Sequence, residues 1–148
     1  AVIPTIISQF ATLDKKNNTI KVGNLKTSRD FIYIKDTVSG LISLLKPSCK
    51  PGEIYNICTG KSYQISDVIK SLKKITGHNP KIIISKNRFR KAEVYNLKGS
   101  NKKIQSSNKW KPQYINYTGF KKALSETYEW FKQEKNLSKY ANIKKYNI

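Results

Sequence analysis

The 148-residue sequence contains no methionine, one histidine, two cysteines, three arginines and only 9 acidic residues against 29 basic ones. Each shortage removes a class of chemistry. A zinc site needs about four nitrogen, sulfur or carboxylate ligands. The lone His78, in the turn Gly77-His78-Asn79-Pro80, and the unspaced Cys49 and Cys58 do not supply such a set. The two cysteines are expected to be either free and reduced or joined to each other. No apolar run approaches the roughly 20 residues that cross a bilayer, and the first residues lack the charged, apolar and small-residue regions of a signal peptide. A cytoplasmic protein with no membrane partner is expected. The opening run Ala1 to Ile7 reads as a helix already under way, so the sequence is expected to begin part-way into a longer chain. Its length suits one domain with a real core, not two.

The formal net charge of +20 is the largest departure from ordinary composition. Such a charge points toward a polyanion. Phosphate and base recognition, however, favours the planar fork of arginine, and only Arg29, Arg88 and Arg90 are present. The lysines are spread over every predicted element, as on a solvated surface. Nucleic acid is therefore not the expected partner, and a basic polyanion-binding module without catalysis is kept as the alternative from another class.

Apolar spacing predicts a helix over residues 1–13, with Pro4 in its first turn. Strands are predicted at Ile20 to Val22 and at Phe31 to Ile34. Asp36 is expected to cap a helix whose buried face is Val38, Leu41, Ile42 and Leu45, ended by Pro47 and Pro51-Gly52. A strand is predicted over Glu53 to Cys58. Ser66 is expected to cap a helix with Val68, Ile69, Leu72 and Ile75 on one face, stopped by Gly77. A strand at Lys81 to Ser85 and a short helix capped by Ser100 follow. The clearest periodicity, at Phe120, Ala123, Leu124, Thr127, Tyr128 and Phe131, predicts a helix over 118–133. Residues 1–134 are read as the folded part and 135–148 as a basic, disordered tail. Strands alternate with helices, which argues α/β, yet there are too few strands for a full doubly wound sheet.

Four segments occur in an order that resembles the extended short-chain dehydrogenase/reductase family, in particular its nucleotide-sugar 4,6-dehydratases and 4-epimerases. They are Ala1 to Ile7, Ile20 to Asp36 with Arg29-Asp30-Phe31 at its centre, Gly52 to Gly60, and Arg90 through Glu93-Val94 to Lys109-Trp110-Lys111-Pro112. The resemblance implies the C-terminal, substrate-binding part of such an enzyme, with the N-terminal Rossmann half as its partner and a nucleoside-diphosphate sugar as its ligand. It implies a diphosphate-holding role for Arg29 and Arg90, and a place beside the nucleotide base for Lys21 and Val22. Cys58 stands where the family usually has a small residue, Ser100 replaces an aspartate, and the spacing from Arg90 to Glu93 is shorter than usual.

The family's redox chemistry uses NAD(P), and its pyrophosphate needs a glycine-rich turn at a helix N-terminus. No G-x-G-x-x-G or G-x-x-G-x-x-G is present. The parent enzyme is expected to bind NAD(P) and this chain by itself is not. No catalytic residue is assigned: Tyr117/Lys121, Tyr128/Lys132 and Tyr140/Lys144 have the spacing of the family's tyrosine and lysine but follow the matched motifs instead of preceding them. A 4,6-dehydratase segment is the first expectation and a 4-epimerase segment the second. A third possibility is a non-catalytic remnant, whose sign is aggregation through an unpaired strand at 53–58. Asp30 and Asp36 are expected to be structural, and Trp110 to be core.

Overall fold

The computed structural model describes residues 1–89 and 92–143. Its helices are α1 (Val2–Ala11), α2 (Ile34–Ser43), α3 (Ile65–Thr76), α4 (Lys102–Asn108), α5 (Tyr117–Lys132) and α6 (Glu134–Ile143). Its strands are β1 (Thr19–Val22), β2 (Ser28–Arg29), β3 (Tyr63–Gln64), β4 (Lys81–Ile84) and β5 (Asn96–Leu97). They form two small sheets. β1 runs parallel to β4 in the register Thr19↔Lys81 to Val22↔Ile84. β2 is central in the other, antiparallel to β3 and parallel to β5. The α/β architecture expected from the sequence is the one observed.

The core follows from the apolar periods. Ile6, Ile7 and Phe10 of α1 and Val68, Ile69 and Leu72 of α3 meet Phe120, Leu124, Tyr128 and Phe131 of α5, with Ile20 and Val22 closing the layer from β1. Gly77 ends α3 in the left-handed region at φ 72°, where a Cβ would be strained. Trp110 is buried as expected, its indole Nε1 donating to Ser39 Oγ at 3.0 Å.

Several predicted features are corrected. Phe31 to Ile34 is not a strand. Its side chains pack on other elements, Phe31 against Phe120 and Tyr33 edge-on to Tyr114, and β-forming residues serve that as well as a ladder. Asp36 is not a cap: Tyr33 is, and the Asp36 carboxylate instead accepts from the backbone N–H of Gln113 and Tyr114 at 2.8 and 3.0 Å. Ser66 and Ser100 yield their cap positions to Gln64 and Asn101. Residues 53–58 belong to no ladder among the described residues. The face of α2 predicted to be buried (Val38, Leu41, Ile42, Leu45) is exposed. The tail expected to be disordered begins as helix α6, held by the packing of Leu137 and Tyr140 on the core and by a 3.0 Å hydrogen bond between Tyr140 and Thr5. Residues 144–148, and so Lys144, lie outside the described residues. Both cysteines are free.

Lys109 ends α4 with φ 60°, the only described non-glycine residue in the left-handed region. That conformation costs an L-residue about 1 kcal/mol. Lys109→Gly is expected to raise stability by about 0.7 kcal/mol, read as a shift in the urea midpoint at unchanged slope. A lower midpoint would show that the lysine side chain contributes more than the backbone strain costs.

Candidate functional site

The site is assembled around β2. Arg29 faces Tyr63 across the β2–β3 pair and Leu97 across the β2–β5 pair, so its backbone is fixed from both sides. Its guanidinium Nη1 donates to the carbonyls of Val94 and Ser28, and Nη2 lies 3.9 Å from Glu93 Oε1. Glu93 also accepts from Asn24 Nδ2 at 3.1 Å. Further along, Arg88 donates to the Lys21 carbonyl at 2.7 Å, and a Cβ on Gly23 would stand 3.2 Å from Arg88 Cβ. Two contact groups thus flank the adjacent residues Gly23 and Asn24: Arg88 on the Lys21 carbonyl, and Asn24 with Arg29 on the Glu93 carboxylate, with two guanidiniums held in place among them.

Of the predicted contacts, Arg29 lies in β2 with its guanidinium on Ser28, Val94 and Glu93, and Lys21 lies in β1 with its carbonyl taking the Arg88 guanidinium. Val22 adjoins Lys21 by sequence only, since its side chain is spent in the core. Arg90 lies outside the described residues. Arg88, Asn24 and Glu93 were given no site role from the sequence. The scarcity of arginine was a usable signal for Arg88, and the Glu93-Val94 segment was a signal for Glu93. Nothing local announced that Asn24 would meet a carboxylate 69 positions later.

Asp30, next in the chain, holds the frame. Its carboxylate accepts from Thr59 N and Oγ1, from Gly60 N at 2.8 Å and from Gly99 N at 3.3 Å, which ties the loops after residue 58 and before α4 to β2. Asn101 adds a bond from Nδ2 to the Cys58 carbonyl at 2.9 Å. The Cys58 sulfur fills the space where a side chain at Gly99 would sit, 2.6 Å from an added Cβ. Burial, followed by the nearby Asp30, pushes the Cys58 thiol above its ordinary value. It is therefore a neutral packing group, not a nucleophile.

On the other side of Asp30 and Phe31 lies an apolar cavity of about 450 Å³, walled by Val2, Ile3, Phe31, Ile34, Phe120 and Leu124 among others. Tyr33 lines it and donates to Glu126 at 2.7 Å, which also takes the Lys35 ammonium. Burial and then the Glu126 bond push the Tyr33 phenol up to about 12, so it stays protonated and is no general base near neutrality. Tyr117 is shifted the opposite way, chiefly by its hydrogen bond to Lys121, but it is exposed and does not line the cavity.

Residues 1–123 match the family model described as GDP-mannose 4,6 dehydratase. The chain is 28% identical over 127 residues to the GDP-6-deoxy-D-mannose reductase of Pseudomonas aeruginosa, covering 84% of this chain and 41% of that protein. It is 30% identical over 125 residues to the CDP-abequose synthase of Salmonella muenchen, with the same two coverages. Among solved structures it resembles RMD from Pseudomonas aeruginosa complexed with NADPH (TM-score 0.73, 27% identity), over 87% of this chain and 42% of that one. The chain spans about two fifths of the length of the relatives it matches. Among the described residues no helix is long and apolar enough to cross a membrane.

Proposed function

We propose that this chain, which belongs to the GDP-mannose 4,6 dehydratase family of extended short-chain dehydrogenases/reductases, binds the nucleoside diphosphate of a nucleotide sugar and works with a Rossmann half that carries NAD(P). The observation that supports this is the pair of guanidiniums held by backbone carbonyls, Arg29 in β2 on Val94 and Ser28 and Arg88 on the Lys21 carbonyl. A diphosphate needs permanently charged donors in set directions, and a guanidinium provides two per oxygen pair. Arg90 is proposed to add a further guanidinium to the same anion. Lys21 and the backbone at Val22 are proposed to border the nucleotide base.

The residues present do not fit a dinucleotide, because no glycine-rich turn opens any helix among the described residues. The cofactor named with the solved relative, NADPH, is accordingly assigned to the part that this chain does not match. The redox residues are assigned there too. Dehydration of the sugar is proposed as the reaction of the whole enzyme, in line with the family model; 4-epimerisation is the second reading, supported by a 33% identical relative described as a probable UDP-arabinose 4-epimerase of Oryza sativa. GDP-linked sugars are the first ligands to try, since the family model and two of the relatives are described by GDP-sugar chemistry.

The test is calorimetric titration with GDP-, UDP- and dTDP-sugars, with NADPH and a short DNA duplex as controls at two salt concentrations. Arg29→Ala is expected to weaken binding of the preferred sugar nucleotide about 30-fold, or about 2 kcal/mol. Arg29→Lys recovers only part of this, since an ammonium keeps the charge and loses the fork. Salt-sensitive binding to DNA with no sugar-nucleotide signal would replace this reading with the basic module.

A further inference from the structure

The second edge of β1 is closed by a side chain instead of a strand. Successive residues of a strand turn their N–H and C=O groups to opposite edges. Val22 gives its carbonyl to Ser85 N at 2.8 Å on the β4 side, so Lys21 presents both of its groups on the other edge, where no strand lies among the described residues. There the Gln9 carboxamide of α1 meets them as a neighbouring strand would. Gln9 Oε1 accepts the Lys21 N–H at 2.8 Å, and Gln9 Nε2 donates to the Lys21 carbonyl at 3.1 Å. Nε2 also donates to the Thr5 carbonyl at 2.9 Å, which ties the carboxamide to the backbone of its own helix. That helix is anchored in turn by Ile6, Ile7 and Phe10 in the core.

The same Lys21 carbonyl takes Arg88 Nη1 at 2.7 Å. It thus accepts two donors, one for each lone pair, and Arg88 is held through an oxygen whose place Gln9 sets. Gly23 leaves room for the arginine from the other side: an added Cβ would stand 3.2 Å from Arg88 Cβ and 3.2 Å from the Arg88 carbonyl oxygen. The Arg88 backbone is fixed as well, its N–H donating to the Ser85 carbonyl at 3.1 Å just after β4. Arg88 is nevertheless exposed, and most of its guanidinium N–H groups take no partner among the described residues. A long exposed side chain ordinarily samples many rotamers. One tethered at a single nitrogen keeps its direction and still has donors to offer an anion.

We propose that Gln9 is a positioning residue of the anion site: it fixes the Lys21 peptide so that the Lys21 carbonyl holds the Arg88 guanidinium in one direction for a diphosphate. The identity of the anion rests on the proposed function; the hold on Arg88 does not. The first test therefore uses no ligand. Nitrogen-15 relaxation of the Arg88 Nε–H in the full chain reports the order of that side chain. Gln9→Met keeps the length of glutamine and neither hydrogen bond, and is expected to mobilise Arg88 while the amides of α3 and α5 keep their protection from hydrogen exchange. An Arg88 as ordered in Gln9→Met as in the wild-type chain overturns the proposal. Gln9→Leu gives the same reading where Gln9→Met loses core protection, and loss of that protection in both counts against a positioning role. The second test is a cycle in which GDP-mannose is titrated into the wild-type chain, Gln9→Met, Arg88→Ala and the double variant. Gln9→Met is expected to weaken binding about 5-fold where Arg88 is present and less than about 1.5-fold where it is alanine. An equal loss in both backgrounds overturns the proposal, since Gln9 then acts on the fold and not through Arg88. The two ideas separate on the same proteins: Arg88 mobilised in Gln9→Met with no GDP-mannose bound by the wild-type chain keeps the positioning and removes the diphosphate reading, and binding with Arg88 unmoved does the reverse.

Discussion

Asp30→Ala is expected to cost about 4 kcal/mol and to release three pieces of the structure together. The carboxylate receives the backbone N–H of Thr59, Gly60 and Gly99 and the Thr59 hydroxyl. Bonds to a charged acceptor contribute about 1.5–3 kcal/mol each, and partial access of water to this half-buried group reduces their sum. Thr59 is itself buried, so its N–H pays most of its desolvation when the acceptor is gone. Asp30→Asn keeps the shape but turns one acceptor oxygen into a donor facing other donors, and is expected to recover less than half of the loss. Urea unfolding at neutral pH measures both variants. A loss below 1 kcal/mol for the alanine variant would show that water replaces the carboxylate without penalty. Because Asp30 follows Arg29 and its own N–H is bonded to Leu97, the same variant is expected to weaken sugar-nucleotide binding even where most of the protein is folded.

How much of this was legible in the sequence depends on the range over which each feature is decided. α3 and α5 were legible because an apolar stripe at helical spacing is a local signal, and Gly77 because its role is set by its own φ. The capping residues were displaced by one to three positions; for Asp36 the reason lies far along the chain, where its carboxylate took the N–H groups at 113–114. The period of α2 showed that it has an apolar face but not what covers that face. The alternation at 54–57 likewise showed strand character without a neighbour. α6 was missed because its stability comes from Tyr140 reaching Thr5, 135 positions away, while its own sequence is lysine- and asparagine-rich. In the candidate site, the resemblance pointed to Arg29 and Lys21, whose role as ligand contacts is a proposal. The contact of Arg29 with Glu93, and of Arg88 with Lys21, depends on a chain reversal that no local pattern encodes.

Phe120→Ala is expected to cost about 4 kcal/mol and to weaken the anion site from behind. The Phe120 ring stacks on Tyr63 with centroids 3.9 Å apart and an interplanar angle of 3°, and Phe31 approaches at 6.5 Å. Removing it deletes a buried aromatic and two ring contacts, the latter contributing about 0.5–1.5 kcal/mol each beyond area. The void cannot close easily, because Phe120 already walls the 450 Å³ cavity and the loss enlarges that space. Tyr63 is the partner of Arg29 in the β2–β3 register, with its hydroxyl held by the Ile115 carbonyl at 2.7 Å. Once its ring loses support, β3 retains that tether and the short ladder alone. Phe120→Leu keeps most of the volume and is expected to cost about 1.5 kcal/mol. Thermal unfolding reports the stability of both variants, and titration at 10 °C, where the variants remain folded, reports the site. A several-fold loss of affinity in Phe120→Ala, absent from Phe120→Leu, would show that the core behind β3 positions Arg29; equal affinity in both would confine Phe120 to stability.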